Sequence, residues 1–208
     1  MSGAVTNGDL AGSIKGNKFQ WSVGTSPPGS PSDGDLWLYP GTGQSGVGGF
    51  YWMFIYDSSE ATYKWKFVGG APSTRWVTTD ESFTDDGTAK DCATAGPTFT
   101  APRAGDYIAK WNCSAYVASQ SATARNMFAN VLASSGTWDI GNGAGSSRPA
   151  YTIFIASSGG LGQELGSFDI IRGISASGTL KQQYGMTADS GTPHVRWRGL
   201  EVTPIRVI

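Results

Sequence analysis

The chain carries little charge, one histidine and hardly any cysteine. Of its 208 residues, 15% are charged, with 15 Lys and Arg against 16 Asp and Glu, for a net charge of -1. The basic residues are scattered, so the sequence lacks the basic stripe that a nucleic-acid binder displays. Cys92 and Cys113 are too few for a disulfide scaffold; they are either a bridged pair or two reduced thiols. One histidine, His194, and two separated cysteines cannot assemble a zinc site of the usual kind. His194 is also the only base open to Ser/His/Asp chemistry, and the sequence has no Gly-x-Ser-x-Gly elbow. Glutamate is confined to Glu60, Glu81, Glu164 and Glu201, which leaves paired-carboxylate glycoside cleavage little to work with. No window reaches the roughly 18 apolar residues of a membrane span. The N-terminus shows no basic patch followed by an apolar run, so no signal peptide is expected. These absences predict a non-enzymatic protein without cofactor, metal, nucleic-acid partner or membrane span, made in a cytoplasm.

What the chain does have is glycine (30 residues), abundant Ser and Thr, and 12% aromatics. That mix suits short strands joined by Gly-rich turns, and predicts an all-β fold. Residues 1–18 hold Val5, Leu10 and Ile14 alone among small polar residues. Such a segment cannot bury enough surface to offset its ordering entropy, and reads as an extended N-terminal arm, either a disordered tail or one that orders on a partner. Residues 19–72 predict a small aromatic-rich β module: strands near Phe19–Val23 and Asp35–Tyr39, then a hairpin of Phe50–Tyr56 and Tyr63–Val68. In the last strand Tyr63, Trp65 and Phe67 alternate with Lys64 and Lys66, an in/out pattern. Five of the eight Trp precede residue 77, and rings of that size can hold a small sheet with few aliphatics. Gly69-Gly70-Ala71-Pro72 marks a boundary.

Residues 73–208 predict about eight strands separated by Gly/Ser/Thr turns, among them Pro97–Thr100, Asp106–Val117, Ala124–Ala133, Gly166–Ser175 and Thr179–Met186. Eight antiparallel strands suit a jelly-roll sandwich. An immunoglobulin-like sandwich is the runner-up, without its usual inter-sheet Cys pair and intervening Trp. The longest pattern runs from Phe99 to Val117. Pro102 and the Gly105-Asp106 turn feed a strand whose Tyr107, Ala109, Trp111, Cys113, Ala115 and Val117 share one face. The expected arrangement is a central strand with the Tyr107/Trp111 face inward. Ile108, Lys110, Asn112, Ser114 and Tyr116 lie on the other, more polar face.

Several motifs have plainer readings. Gly41 to Gly46 fits G-x-G-x-x-G, but no helix follows, so a flexible loop is expected rather than a dinucleotide site. Asp80, Glu81, Asp85, Asp86 and Asp91 form an acidic run without the spacing of a calcium loop, and Asp85-Asp86-Gly87 makes a turn by itself. The sequon Asn112-Cys113-Ser114 falls in mid-strand. Sugar rings stack on exposed aromatic faces, and Trp138, within the Gly-rich stretch 136–143, is the candidate glycan contact; packing under that loop is its alternative.

Two resemblances extend this reading. Phe99-Thr-Ala-Pro-Arg-Ala-Gly105-Asp-Tyr107 resembles the signature of complement/tumour-necrosis-factor-like jelly rolls, with Trp111 beyond and Ala109 where that family usually has a further aromatic. It covers roughly residues 76–208 and implies a homotrimer, with Phe99, Gly105, Tyr107 and Trp111 on the trimer or core strand. Residues 24–72, through Asp33-Gly34-Asp35-Leu-Trp37-Leu-Tyr39, Trp52-Met-Phe54-Ile-Tyr56 and Trp65-Lys-Phe67-Val-Gly69-Gly70, resemble a module of bacteriophage minor tail and fibre proteins. Together they imply a virion structural protein: a trimeric tail appendage docked on other virion proteins through its arm, with host-surface glycan as a further partner. A capsid decoration protein or head fibre is one alternative; a secreted carbohydrate-binding module is another.

Overall fold

The computed structural model describes residues 21–42, 49–83, 89–118, 126–139, 148–154, 163–187 and 192–208. The arm at 1–18, the Gly-rich segment 43–48, and Asp85 and Asp86 lie outside them. The described residues form fourteen strands and no helix. Those of the first part are β1 (Trp21–Val23), β2 (Leu36–Gly41), β3 (Phe50–Tyr56) and β4 (Trp65–Gly70). They are followed by β5 (Ser73–Val77), β6 (Glu81–Ser82), β7 (Thr98–Thr100), β8 (Gly105–Ala118), β9 (Asn126–Ala133) and β10 (Thr137–Trp138). The last are β11 (Arg148–Phe154), β12 (Gln163–Ile174), β13 (Thr179–Thr187) and β14 (Thr192–Val207). Residues 126–133, whose alanines also suit a helix, are strand.

The pairing defines the architecture. Counting β5 and β6 as one broken strand and setting aside the two-residue edge strand β10, the eight sandwich strands pair first with last (β5 and β6 with β14) and second with seventh (β7 with β13). Third pairs with sixth (β8 with β12) and fourth with fifth (β9 with β11). The β14–β8 and β13–β9 pairs close the two sheets. A long antiparallel ribbon wound this way is a jelly roll. In an immunoglobulin sandwich the first strand would pair with the second. The smaller sheet runs β11-β9-β13-β7, and the larger runs β1-β2-β3-β4-β14-β8-β12-β10. Strand β8 is therefore central, and its Tyr107, Ala109, Trp111, Cys113, Ala115 and Val117 are all buried.

The aromatic strands β1–β4 continue the larger sheet through Lys66–Arg206 and Trp65–Val207 pairing. They also share the sandwich core. Trp37 stacks on Phe54 at 5.2 Å, and Trp52 lies 6.3 Å from Phe99 and 6.2 Å from Tyr107. A buried Trp removes about 200 Å² from water, or about 5 kcal/mol, so this seam is a major share of the core. The indole N–H groups are satisfied by Gly24 O (from Trp37, 2.7 Å) and Ala71 O (from Trp52, 2.9 Å).

Polar contacts fasten the same junction. Gly105 lets β8 start against β14, since a Cβ there would lie 2.2 Å from Arg206 O. The neighbouring Asp106 carboxylate, 2% exposed, accepts from Arg206 Nε (2.8 Å), Arg172 Nη1 (3.2 Å) and the Gly173 amide (2.9 Å). Arg206 also reaches Glu60 (2.9 Å), which Lys66 holds at 3.0 Å. One buried acid thus ties the β3–β4 turn, β8, β12 and β14 together. Replacing it takes one partner from each of two partly solvated guanidinium groups, which keep Glu60 and Asp139, and leaves the Gly173 amide without its acceptor, so Asp106→Ala is expected to cost about 2–4 kcal/mol, measured by urea unfolding of the whole chain.

Candidate functional surfaces

The outward face of the larger sheet carries two features that stand out. The first is a groove of about 190 Å³ over β5, β14 and β8. Cross-strand pairing places Trp76, Gly199, Asn112 and Gly166 in one row, and Thr74, Glu201, Lys110 and Phe168 in the next. Trp76 is 41% exposed and forms one wall. Lys110 Nζ and Glu201 Oε1 pair at 3.1 Å at the opposite rim. The floor depends on Gly199, because a Cβ there would lie 2.3 Å from Asn112 Oδ1 and 2.7 Å from Trp76 Cζ3.

A β-bulge in β14 aims that glycine outward. Arg196 pairs with Ser114 and Gly199 with Asn112, so Trp197 and Arg198 together oppose Cys113. Trp197 takes the left-handed conformation (φ 53°) and stays exposed, while Arg198 turns fully inward. Arg198 donates to Glu81 Oε2 (2.9 Å) and Thr94 O (3.1 Å) and lies over the Tyr184 ring at 5.7 Å.

The second feature is the outward face of β1–β4. Trp37, Trp52, Phe54 and Trp65 point to the core, so the alternate residues point out. In register they run Trp21–Leu36–Ile55 and Val23–Leu38–Met53, with Tyr51 beside Pro40. Trp21 and Tyr51 are each 56% exposed and Val23 is 61% exposed. Lys66 is the one charged residue in these four strands.

The residues singled out in the sequence fall as follows. Phe99, Gly105, Tyr107 and Trp111 are all buried within the chain's own core. Trp138 corrects the glycan expectation: it is 3% exposed, pairs with Ile171 and packs 6.2 Å from Trp111. It has no free face for a sugar. Single-sequence reading put it on a loop, whereas a two-residue strand at the sheet edge turns it inward. On the outer face of β8, Ile108 is half-buried and Tyr116 stacks on His194 at 4.8 Å. His194 Nδ1 and the Tyr116 hydroxyl both meet the Asp80 carboxylate, at 3.2 and 2.8 Å. The described members of the acidic run are thus divided among separate partners, with Glu81 on Arg198 and Asp91 on Lys181 (2.6 Å). Among the described residues no cluster of three or more His, Cys, Asp or Glu could hold a metal, and no helix is long and apolar enough to cross a membrane.

Comparison with protein-family models and with curated proteins gave no match. Among solved structures the chain is similar to one from infectious bursal disease virus, Gx strain (TM-score 0.35, 10% identity, 76% of this chain and 43% of that one). It is also similar to the CBM22-1–GH10 modules of Clostridium thermocellum xylanase 10B, crystallised with xylohexaose (0.31, 10%, 84% of this chain and 26% of that one). A third is the CBM22-1 xylan-binding domain of Paenibacillus barcinonensis Xyn10C (0.28, 7%, 65% and 84%). The chain thus spans less than half of the first two. At these scores the strand order, rather than the likeness, defines the fold.

Cys92 and Cys113 are free thiols buried between the sheets. Burial pushes Cys92 up to about 11 and Cys113 up to about 12, from an ordinary 9.0, and raises Tyr107 and Tyr184 as well. The unfolded chain therefore releases these protons first. Their contribution to stability is complete below pH 9 and is lost as pH rises through the folded values. The urea midpoint is expected to fall steadily from pH 9 to about 12, and less steeply in Cys113→Ala. At pH 8 a thiol reagent should label the native chain slowly and both cysteines at once after denaturation.

Proposed function

We propose that the protein is a non-enzymatic bacteriophage virion component, a trimeric tail appendage that contacts the host surface. The observation carrying this reading is the apolar outer face of β1–β4. Monomeric proteins rarely leave so broad an apolar patch in water, and charge depletion with exposed Trp and Tyr beside a half-buried Met is the composition of an interface core. The β2–β4 part of the face lies in the stretch that resembles the phage tail module, next to a sandwich with the strand pairing of a jelly roll. Three copies arranged about an axis cover it and present three sandwiches in parallel. Each copy then offers its outward loops and grooves to a repeating target, where weak contacts add by avidity. The arm at 1–18 is the segment assigned to docking on other virion proteins.

The test is the mass in solution. Sedimentation equilibrium of the whole chain at micromolar concentration is expected to give three times 21.8 kDa. Val23→Asp with Tyr51→Asp, both at positions more than half exposed, should shift the mass to the monomer with the fold intact. A monomeric unaltered chain would remove the trimer. Copy number in particles separates locations: hundreds of copies would move the protein from the tail to the capsid surface.

A further inference from the structure

The geometry points to a monosaccharide site in the groove between Trp76 and the Lys110–Glu201 pair. Its ligand is one neutral pyranose unit of a cell-surface glycan, seated with its apolar face on the indole. This deepens the host-contact reading above and rests on it.

Size narrows the class first. At about 190 Å³, the groove is below the 300 Å³ or so at which drug-sized pockets begin, and accommodates a single ring. Its floor is Gly199, which carries no side chain, beside Asn112 on the paired strand. Gly199 cannot be replaced without displacing Trp76 or Asn112.

Chemistry narrows it further. An apolar ligand would cover Asn112, Lys110 and Glu201 without replacing their water, at a cost for each polar group left unpaired. An anion would meet Glu201, and a cation would meet Lys110. A neutral polyol avoids all three penalties. Each hydroxyl both donates and accepts, matching an amide that does both, an ammonium that donates and a carboxylate that accepts. The carbon-bound hydrogens of one pyranose face suit the flat indole of Trp76. The Lys110–Glu201 pair is well exposed, with side-chain exposures of 59% and 37%. So exposed a pair is weakly held, and its members can turn to a ligand hydroxyl at little cost.

The experiment is a titration of the 15N-labelled whole chain with the methyl glycosides of glucose, galactose, mannose, rhamnose and N-acetylglucosamine. N-acetylneuraminic acid serves as the anionic control. The expected result is that at least one neutral glycoside shifts the Trp76 indole N–H and the Asn112 side-chain amide together, with a dissociation constant on the order of 1 mM. Trp76→Ala should weaken it about tenfold or more, while Trp76→Phe keeps it within a few-fold. Lys110→Ala with Glu201→Ala, on the exposed rim, should weaken binding several-fold with an unchanged melting temperature. The site is overturned if no neutral glycoside moves these signals at about 50 mM. It is equally overturned if Trp76→Ala leaves the Asn112 titration with an unchanged dissociation constant, or if only the acidic sugar acts. Free glycosides bind one chain at a time, so this outcome is independent of trimerisation. A trimeric chain that ignores sugars sinks the site and spares the appendage; a sugar-binding monomer does the reverse.

Discussion

A single guanidinium held between the two sheets sets the geometry of the outward face. Arg198 has no exposed surface, and an ionised group so placed costs several kcal/mol unless nearby partners offset it. Glu81, the Thr94 carbonyl and the Tyr184 ring supply those partners from β6, the segment before β7, and β13. To reach them, β14 must rotate one residue out of phase, and the bulge at Trp197 and Arg198 is that rotation. Everything after it follows: Leu200 and Val202 turn into the core, Gly199 and Glu201 turn out, and the groove opens beside Trp76. The left-handed Trp197 is the local strain that the buried ion pair maintains.

The same sheet makes the β1–β4 stretch inseparable from the sandwich. Trp52 touches both Phe99 and Tyr107, so the aromatic rings of β3 complete the end of the jelly-roll core. Asp106, at the first turn of the central strand, collects the cations of β12 and β14. Core and charge network coincide at the β4–β14 pairing. A change at either is felt on both sides of that junction.

Strict alternation made much of this legible. Tyr107 to Val117 stands out because every second residue is apolar over a span no turn interrupts, and those six side chains are all buried, with Ser114 the one buried residue of the other face in that span. The β3–β4 hairpin is legible for the same reason, with Trp65 in the core and Lys66 on the outside. The bulge is not legible, because a phase shift leaves His194–Val207 looking like one continuous strand. Its cause, a cation seeking Glu81 more than a hundred residues away, is nonlocal. Trp138 failed likewise: glycines around it suggest a loop, and only the edge pairing with Ile171 turns it inward. Trp76 gave no signal of its own, since its value comes from the missing side chain at Gly199 across the strand pair.

That dependence on a glycine opposite a tryptophan also explains how a site with so few contacts could work. Immobilising a side chain on binding costs about 0.5–1.5 kcal/mol, and a one-ring ligand has little interaction energy to set against it. Here the indole already lies against the Gly199 backbone, and Asn112 is flanked by residues without side chains on the rigid central strand. Both are oriented before a ligand arrives. Only the weakly coupled Lys110 and Glu201 need to move. Affinity for one ring stays low under these terms, and an arrangement presenting several copies converts low affinity into firm attachment without enlarging the groove.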